Sequence, residues 1–168
     1  ITTKSGKAGK TRFNASFQQG INRLTNPDAT KPLNTTEALE LIREGWLNAG
    51  KTAADFDAEI IKQKINPSVN TDWMNELTRA GNYNQFDLSA SGGNDKTTYF
   101  LSGGYYDAKA PLKGVDYKRA TARVTLNTQA TERLSFNSNL SFSHQKSNTV
   151  LDAGAYANPV RAMYRLQP

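Results

Sequence analysis

The residues in this chain whose types and spacing could do chemistry are few. Ser5-Gly6-Lys7-Ala8-Gly9-Lys10-Thr11 has the ingredients of a phosphate-binding loop: glycines beside a lysine and a hydroxyl. Such a loop needs a further glycine five residues before its Gly-Lys-Thr, and a following helix to aim backbone donors at the phosphate. Here that position is Lys4, and the segment leads into an alternating, strand-like pattern. It reads instead as a basic, flexible connector. His144 is the only histidine, with no cysteine or nearby carboxylate to complete a metal set. Glu37, Glu40 and Glu44 share one helical face, the spacing of a solvated surface rather than of an acid–base pair. None of the many serines sits in a nucleophile-elbow sequence. No catalytic residue, metal site or cofactor is expected, the chain reads as no enzyme, and no substrate-binding residue is assigned.

Composition narrows the class further. The 168 residues contain no cysteine, which removes disulfides, thiolate zinc sites and thiol catalysis. The formal charge of +6 and an isoelectric point near 9.6 invite a nucleic-acid reading. The basic residues are scattered, however, with no dense run beyond Lys4, Lys7, Lys10 and Arg12, so no nucleic-acid partner is expected. A hydrophobic content of 37% and a mean hydropathy of −0.66 are polar for a compact soluble fold. No stretch approaches the ~20 apolar residues of a membrane-spanning helix. A transmembrane strand needs only ~9–11 residues, with every second one apolar, so a barrel protein is expected to look hydrophilic.

Five segments alternate with the period of two that a strand with unlike faces requires. Phe13, Ala15 and Phe17 oppose Arg12, Asn14, Ser16 and Gln18. Phe86, Leu88 and Ala90 oppose Gln85, Asp87, Ser89 and Ser91. Between Thr97 and Tyr106, Tyr99, Leu101 and Tyr105 oppose Thr98, Ser102 and Gly104, and Phe100 breaks the rule. Ala120, Ala122, Val124 and Leu126 oppose Arg119, Thr121, Arg123 and Thr125. Leu134, Phe136, Leu140 and Phe142 oppose Ser135, Asn137, Asn139, Ser141 and Ser143. Tyr83, Tyr99, Tyr105, Tyr106 and Tyr117 fall near strand ends, where interfacial girdles place aromatic residues, and His144 is expected to join them.

Connections of two lengths alternate. Gly92–Lys96 and Thr128–Glu132 are short, whereas residues 22–82, 107–116 and those after the fifth strand are long. An up-and-down barrel with short periplasmic turns and long external loops has this order. The first long loop carries helices of its own. Asn34-Thr35-Thr36-Glu37 is a capping-box signature ahead of a Leu39, Ile42 and Trp46 stripe, with Gly45 and Gly50 weakening its end. Phe56 and Ile60 suggest a second helix over Ala53–Gln63, Pro67 stops it, and Thr71-Asp72-Trp73 opens a third turn. The expected fold is mainly β: antiparallel up-and-down strands forming an arc of a large transmembrane barrel, with short helices in a long external loop. The alternative is a soluble β-sandwich carbohydrate-binding module, whose apolar faces meet between two sheets.

Several runs resemble the SusC/RagA class of TonB-dependent outer-membrane receptors. Ile1-Thr2-Thr3-Lys4-Ser5-Gly6-Lys7-Ala8-Gly9 is similar to the run that closes the plug in that family and leads into the first barrel strand. Asn70-Thr71-Asp72-Trp73, Leu88-Ser89-Ala90-Ser91-Gly92-Gly93, Tyr99–Tyr106 and Gly154-Ala155-Tyr156-Ala157-Asn158-Pro159 follow in family order. The resemblance implies a parent of about 22 strands around a plugged lumen. Residues 1–10 are then expected to be the end of the plug and its connector, and 11–168 the first five barrel strands with their external loops. The start at Ile1 and the end at Pro168 both look cut. The resemblance also implies location in the bacterial outer membrane and import of glycans or peptides. A SusD-like surface lipoprotein would be the lid and TonB the energy source. Phe13, Phe17, Leu88, Val124, Leu134, Phe136, Leu140 and Phe142 are then expected to face the lipid bilayer, with the opposing Ser, Asn, Thr and Arg lining the lumen or touching the plug.

Overall fold

A computed structural model describes residues 6–152 and 154–166. The start of the plug-like run, Ile1–Ser5, lies outside these residues, as do Gln167 and Pro168. The chain divides into two compact units, one of residues 1–23 and 80–149, the other of residues 24–79 and 150–168.

The first unit is a five-stranded antiparallel sheet in the order β1-β2-β3-β4-β5, so each strand pairs with its neighbour in sequence. The strands are β1 (Gly9–Asn22), β2 (Gly81–Gly93), β3 (Thr97–Lys109), β4 (Asp116–Thr131) and β5 (Leu134–Asn148). Each of the five alternating segments lies within one of them. At 13 to 16 residues they exceed the ~9–11 that a tilted strand needs to cross a bilayer. The strands form one sheet, not the two packed sheets of the sandwich alternative. The β2–β3 turn is built by Asn94, whose Oδ1 accepts from the Lys96 and Thr97 backbone N–H groups at 3.0 and 2.8 Å. The expected long connection at 107–116 is shorter, only 110–115, because pairing continues out to Lys109 and Asp116.

Register settles the faces, since side chains directly opposite one another share a face. Phe100 lies between Ser91 and Thr125 on the polar face, which explains its break in the pattern. The tyrosine girdle is corrected. Tyr105 lies on the apolar face, opposite Phe86 and Ala120, and Tyr99 lies opposite Gly92 and Leu126 on that same side. Tyr83, Tyr106 and Tyr117 stand at odd spacing from Phe86, Tyr105 and Ala120, so they project from the polar face.

The second unit is helical: a 3-10 turn (Pro27–Thr30), α1 (Thr35–Asn48), α2 (Ala53–Lys62), α3 (Trp73–Leu77), α4 (Gly154–Ala157) and α5 (Pro159–Ala162). The expected capping box is present: Asn34 Oδ1 accepts from the Glu37 N–H and Glu37 Oε2 from the Asn34 N–H, both at 2.9 Å. Gly45 does not end α1. The helix closes three residues later, where the Gly50 and Lys51 N–H groups donate to the carbonyls of Leu47 and Trp46. Thr52 and Asp55 form a second capping box at the start of α2. Trp46 meets Phe56 edge-on at 6.4 Å, and Phe56, Met74, Ala162 and Met163 are buried.

Candidate functional site

Two broad surfaces of the sheet carry its functional potential. On the apolar face the register aligns Phe13, Ala90, Leu101, Val124 and Leu140 in one row. Ala15, Leu88, Gly103, Ala122 and Phe142 form the next, then Phe17, Phe86, Tyr105, Ala120 and His144. The large apolar side chains in these rows are open to the surroundings, from 39% exposed at Val124 to 79% at Phe13. All eight residues expected to face lipid are exposed, with Leu134 and Phe136 continuing the band along β5. One row beyond His144 the face turns charged. Gln19, Asn84, Asp107, Lys118 and Lys146 align there, with Lys118 Nζ 3.3 Å from Asp107 Oδ2. A contiguous exposed apolar band of this kind marks a surface that meets another protein or a membrane.

The polar face repeats the same rows in hydrogen-bonding residues. Asn14, Ser89, Ser102, Arg123 and Ser141 align, as do Ser16, Asp87, Gly104, Thr121 and Ser143. A depression of about 460 Å³ is lined by members of both rows. Gln85 Nε2 donates to Asp87 Oδ2 at 2.7 Å. Further along, Tyr83, Tyr106 and Tyr117 neighbour one another at ring separations of 6.1 and 6.0 Å, and the Arg119 guanidinium stands 6.0 Å from the Tyr106 ring centre. Sequence reasoning missed this cluster: counting parity from Phe86 and Ala120 puts the three tyrosines on the polar face, and the strand register then brings them together.

The remaining sequence features have structural roles. Gly6 passes so close to the β3 backbone that a Cβ there would meet the Tyr99 carbonyl oxygen at 2.3 Å. The glycine of the phosphate-loop lookalike therefore serves a chain crossing. Asn70 Oδ1 accepts from the Thr35 N–H at 3.1 Å while Thr35 Oγ1 donates to the Val69 carbonyl at 2.6 Å, and Asp72 caps α3. The Asn70–Trp73 run thus holds helix starts together. Asn158 caps α5, with Pro159 in its first turn. Glu37 is consumed by its capping box, and among the described residues no group of three His, Cys, Asp or Glu is placed to hold a metal.

No family model matches the chain. It is 22% identical over 158 residues to TonB-dependent receptor P39 of Formosa agariphila, covering 94% of this chain and 15% of that protein. It is 28% identical over 156 residues to TonB-dependent receptor SusC of Bacteroides thetaiotaomicron, covering 92% and 14%. Over most of its length the chain is distantly similar to SusC/RagA-type TonB-dependent receptors. Among solved structures, the RagAB peptide importer in its closed-closed state superposes with a TM-score of 0.68 at 20% identity, covering 92% of this chain and 21% of that one. A RagAB peptide transporter structure gives 0.69 at 20% identity over 88% and 19%. The fold is therefore that of one part of a SusC/RagA-type receptor. The chain spans about a seventh of the length of the curated relatives it matches.

Proposed function

We propose that this chain is a wall segment of a SusC/RagA-type transporter of the bacterial outer membrane, with no enzymatic role. The observation that carries the reading is the registered band of exposed apolar side chains on one face, backed by a Ser-, Asn- and Arg-rich face on the other. A barrel wall between lipid and a polar lumen needs that division, and closure onto further strands would satisfy the open edges of β1 and β5. Residues 1–10 are then the end of the plug and its connector, and 11–168 the first five strands with external loops. The tight β2–β3 and β4–β5 turns face the periplasm, and the helical segment of residues 34–65 is external. By family, a SusD-like lipoprotein caps the receptor, TonB drives it, and glycans or peptides are the cargo.

Tryptophan placed at neighbouring positions of β5 tests this in the full-length receptor reconstituted with brominated lipid. Phe142→Trp should be quenched strongly and Ser141→Trp hardly at all. Equal quenching at the two positions would remove the lipid-facing assignment.

A further inference from the structure

The charged row that ends the apolar band contains an arrangement that a sheet ordinarily avoids. Lys118 of β4 and Lys146 of β5 are direct cross-strand partners on one face. Like charges placed opposite one another repel and destabilise the pairing. Asp107 relieves Lys118 from the β3 side, but Lys118 stands between it and Lys146. In the next row Asp116 lies opposite Lys109 and accepts from the Asn148 amide at 3.0 Å. Three lysines thus answer two aspartates, and among the described residues no carboxylate pairs with Lys146. The turn end of the same face is neutral: there Thr97 faces Thr128, and their hydroxyls bond to each other at 2.6 Å. One row inside the lysines stand Ala120 and His144, with Tyr105 beside Ala120 and 47% exposed. Ala122 lies four residues along β4 from Lys118, about 13 Å at the rise of an extended strand. It lines an apolar depression of about 500 Å³ with Leu88, Leu101, Gly103 and Val124.

We propose that Lys118 and Lys146 bind the phosphate headgroup of an anionic lipid, whose acyl chain runs along β4 past Ala120 into the apolar depression. The proposal rests on the wall reading and adds to it a site for one class of lipid. A phosphate between the two ammonium groups removes their repulsion and gives Lys146 the counter-charge that the sheet does not supply. Lysine suits this boundary, because its stem packs along apolar surface while its head stays in the polar layer. One row inside, the Tyr105 hydroxyl and the His144 ring stand at the depth of the lipid's ester oxygens, to which both can donate. A free phosphate would use only the lysines. A lipid uses the charge and the depression together, and the two lie along one strand at the separation of a headgroup from its acyl chain. With the tight turns facing the periplasm, the site belongs to the outer leaflet.

The experiment uses the full-length receptor in nanodiscs with Phe142→Trp as reporter, four residues along β5 from Lys146 and opposite Ala122. Its fluorescence, corrected for the parent receptor, is followed as brominated phosphatidylglycerol is diluted into plain phosphatidylcholine. Brominated phosphatidylcholine in the same diluent is the reference. Half-maximal quenching should need about fivefold less of the anionic lipid, as one lysine at a charged headgroup implies. Lys146→Gln, a change at an exposed position, should erase that preference. Inorganic phosphate, compared with chloride at equal ionic strength, should leave it unchanged. The assignment is overturned if the two lipids quench alike, if Lys146→Gln keeps the preference, or if phosphate abolishes it and so marks a free-anion site. Quenching by neither lipid defeats the wall reading itself. Equal quenching by both defeats only the lipid site.

Discussion

The sheet and the helical unit treat their large apolar residues differently. In the helical unit Phe56 is 7% exposed and Met163 6%, the burial of an ordinary water-soluble core. In the sheet Phe13, Phe17 and Phe142 are 79%, 63% and 66% exposed. The helical unit buries Phe56 and Met74 but leaves Leu41 and Ile61 58% and 77% exposed, whereas in the three aligned rows of the sheet every large apolar side chain is exposed. Under the wall reading proposed above, the apolar face of the sheet meets the bilayer.

That contrast can be broken from either side. Phe56→Ala should cost about 3–5 kcal/mol, because it empties a covered site, and should lower hydrogen-exchange protection across α1 and α2 while leaving the strands protected. Loss of protection in the strands as well would show that the two regions are not energetically separate. Leu140→Arg should cost ~2–4 kcal/mol if that position lies near the bilayer midplane, measured as folding of the full-length receptor into lipid vesicles. Near wild-type folding would argue that β5 faces water. Asn34→Ala, which removes one capping box, should cost about 1 kcal/mol, read from exchange of the first-turn amides of α1.

The smallest expected effect is electrostatic. Hydrogen bonds from the Thr52 backbone N–H and then its hydroxyl hold the Asp55 carboxyl below the usual aspartate range, with Lys51 adding a weaker pull. A depressed value means that this contribution is complete above the ordinary aspartate pKa and fades as pH falls through the lowered one. Thr52→Val, which keeps the backbone N–H and removes only the hydroxyl, should move Asp55 part of the way back toward an ordinary titration, followed by its side-chain NMR shift. An unchanged titration would show that the hydroxyl does not contribute.

Much of this was legible in the sequence because strands with unlike faces write their period directly into residue order. Phe13–Phe17 and Leu134–Phe142 fixed a face before any pairing was known, and the Asn34 capping box announced α1. The girdle expectation failed on Tyr83, Tyr106 and Tyr117 because nearness to a strand end was weighed above parity. Phe100 signalled the same lesson, since an aromatic on a polar face need not be an error. The burial of Met74, Ala162 and Met163 was not legible, because they sit in short helices of one turn or so that leave no local period. The second capping box escaped notice because Asp55 takes the place usually held by Glu or Gln.

The neighbour-by-neighbour strand order has a kinetic consequence. β2 with β3, β3 with β4 and β4 with β5 can each zip from a tight connection, giving low contact order and early pairing. Only β1 with β2 must close across residues 23–80, which costs roughly 2–3 kcal/mol more chain entropy than closing across 94–96. A helical insertion that folds first shortens the stretch still free to wander. The helices between the first two strands would then set how late β1 joins the sheet during assembly.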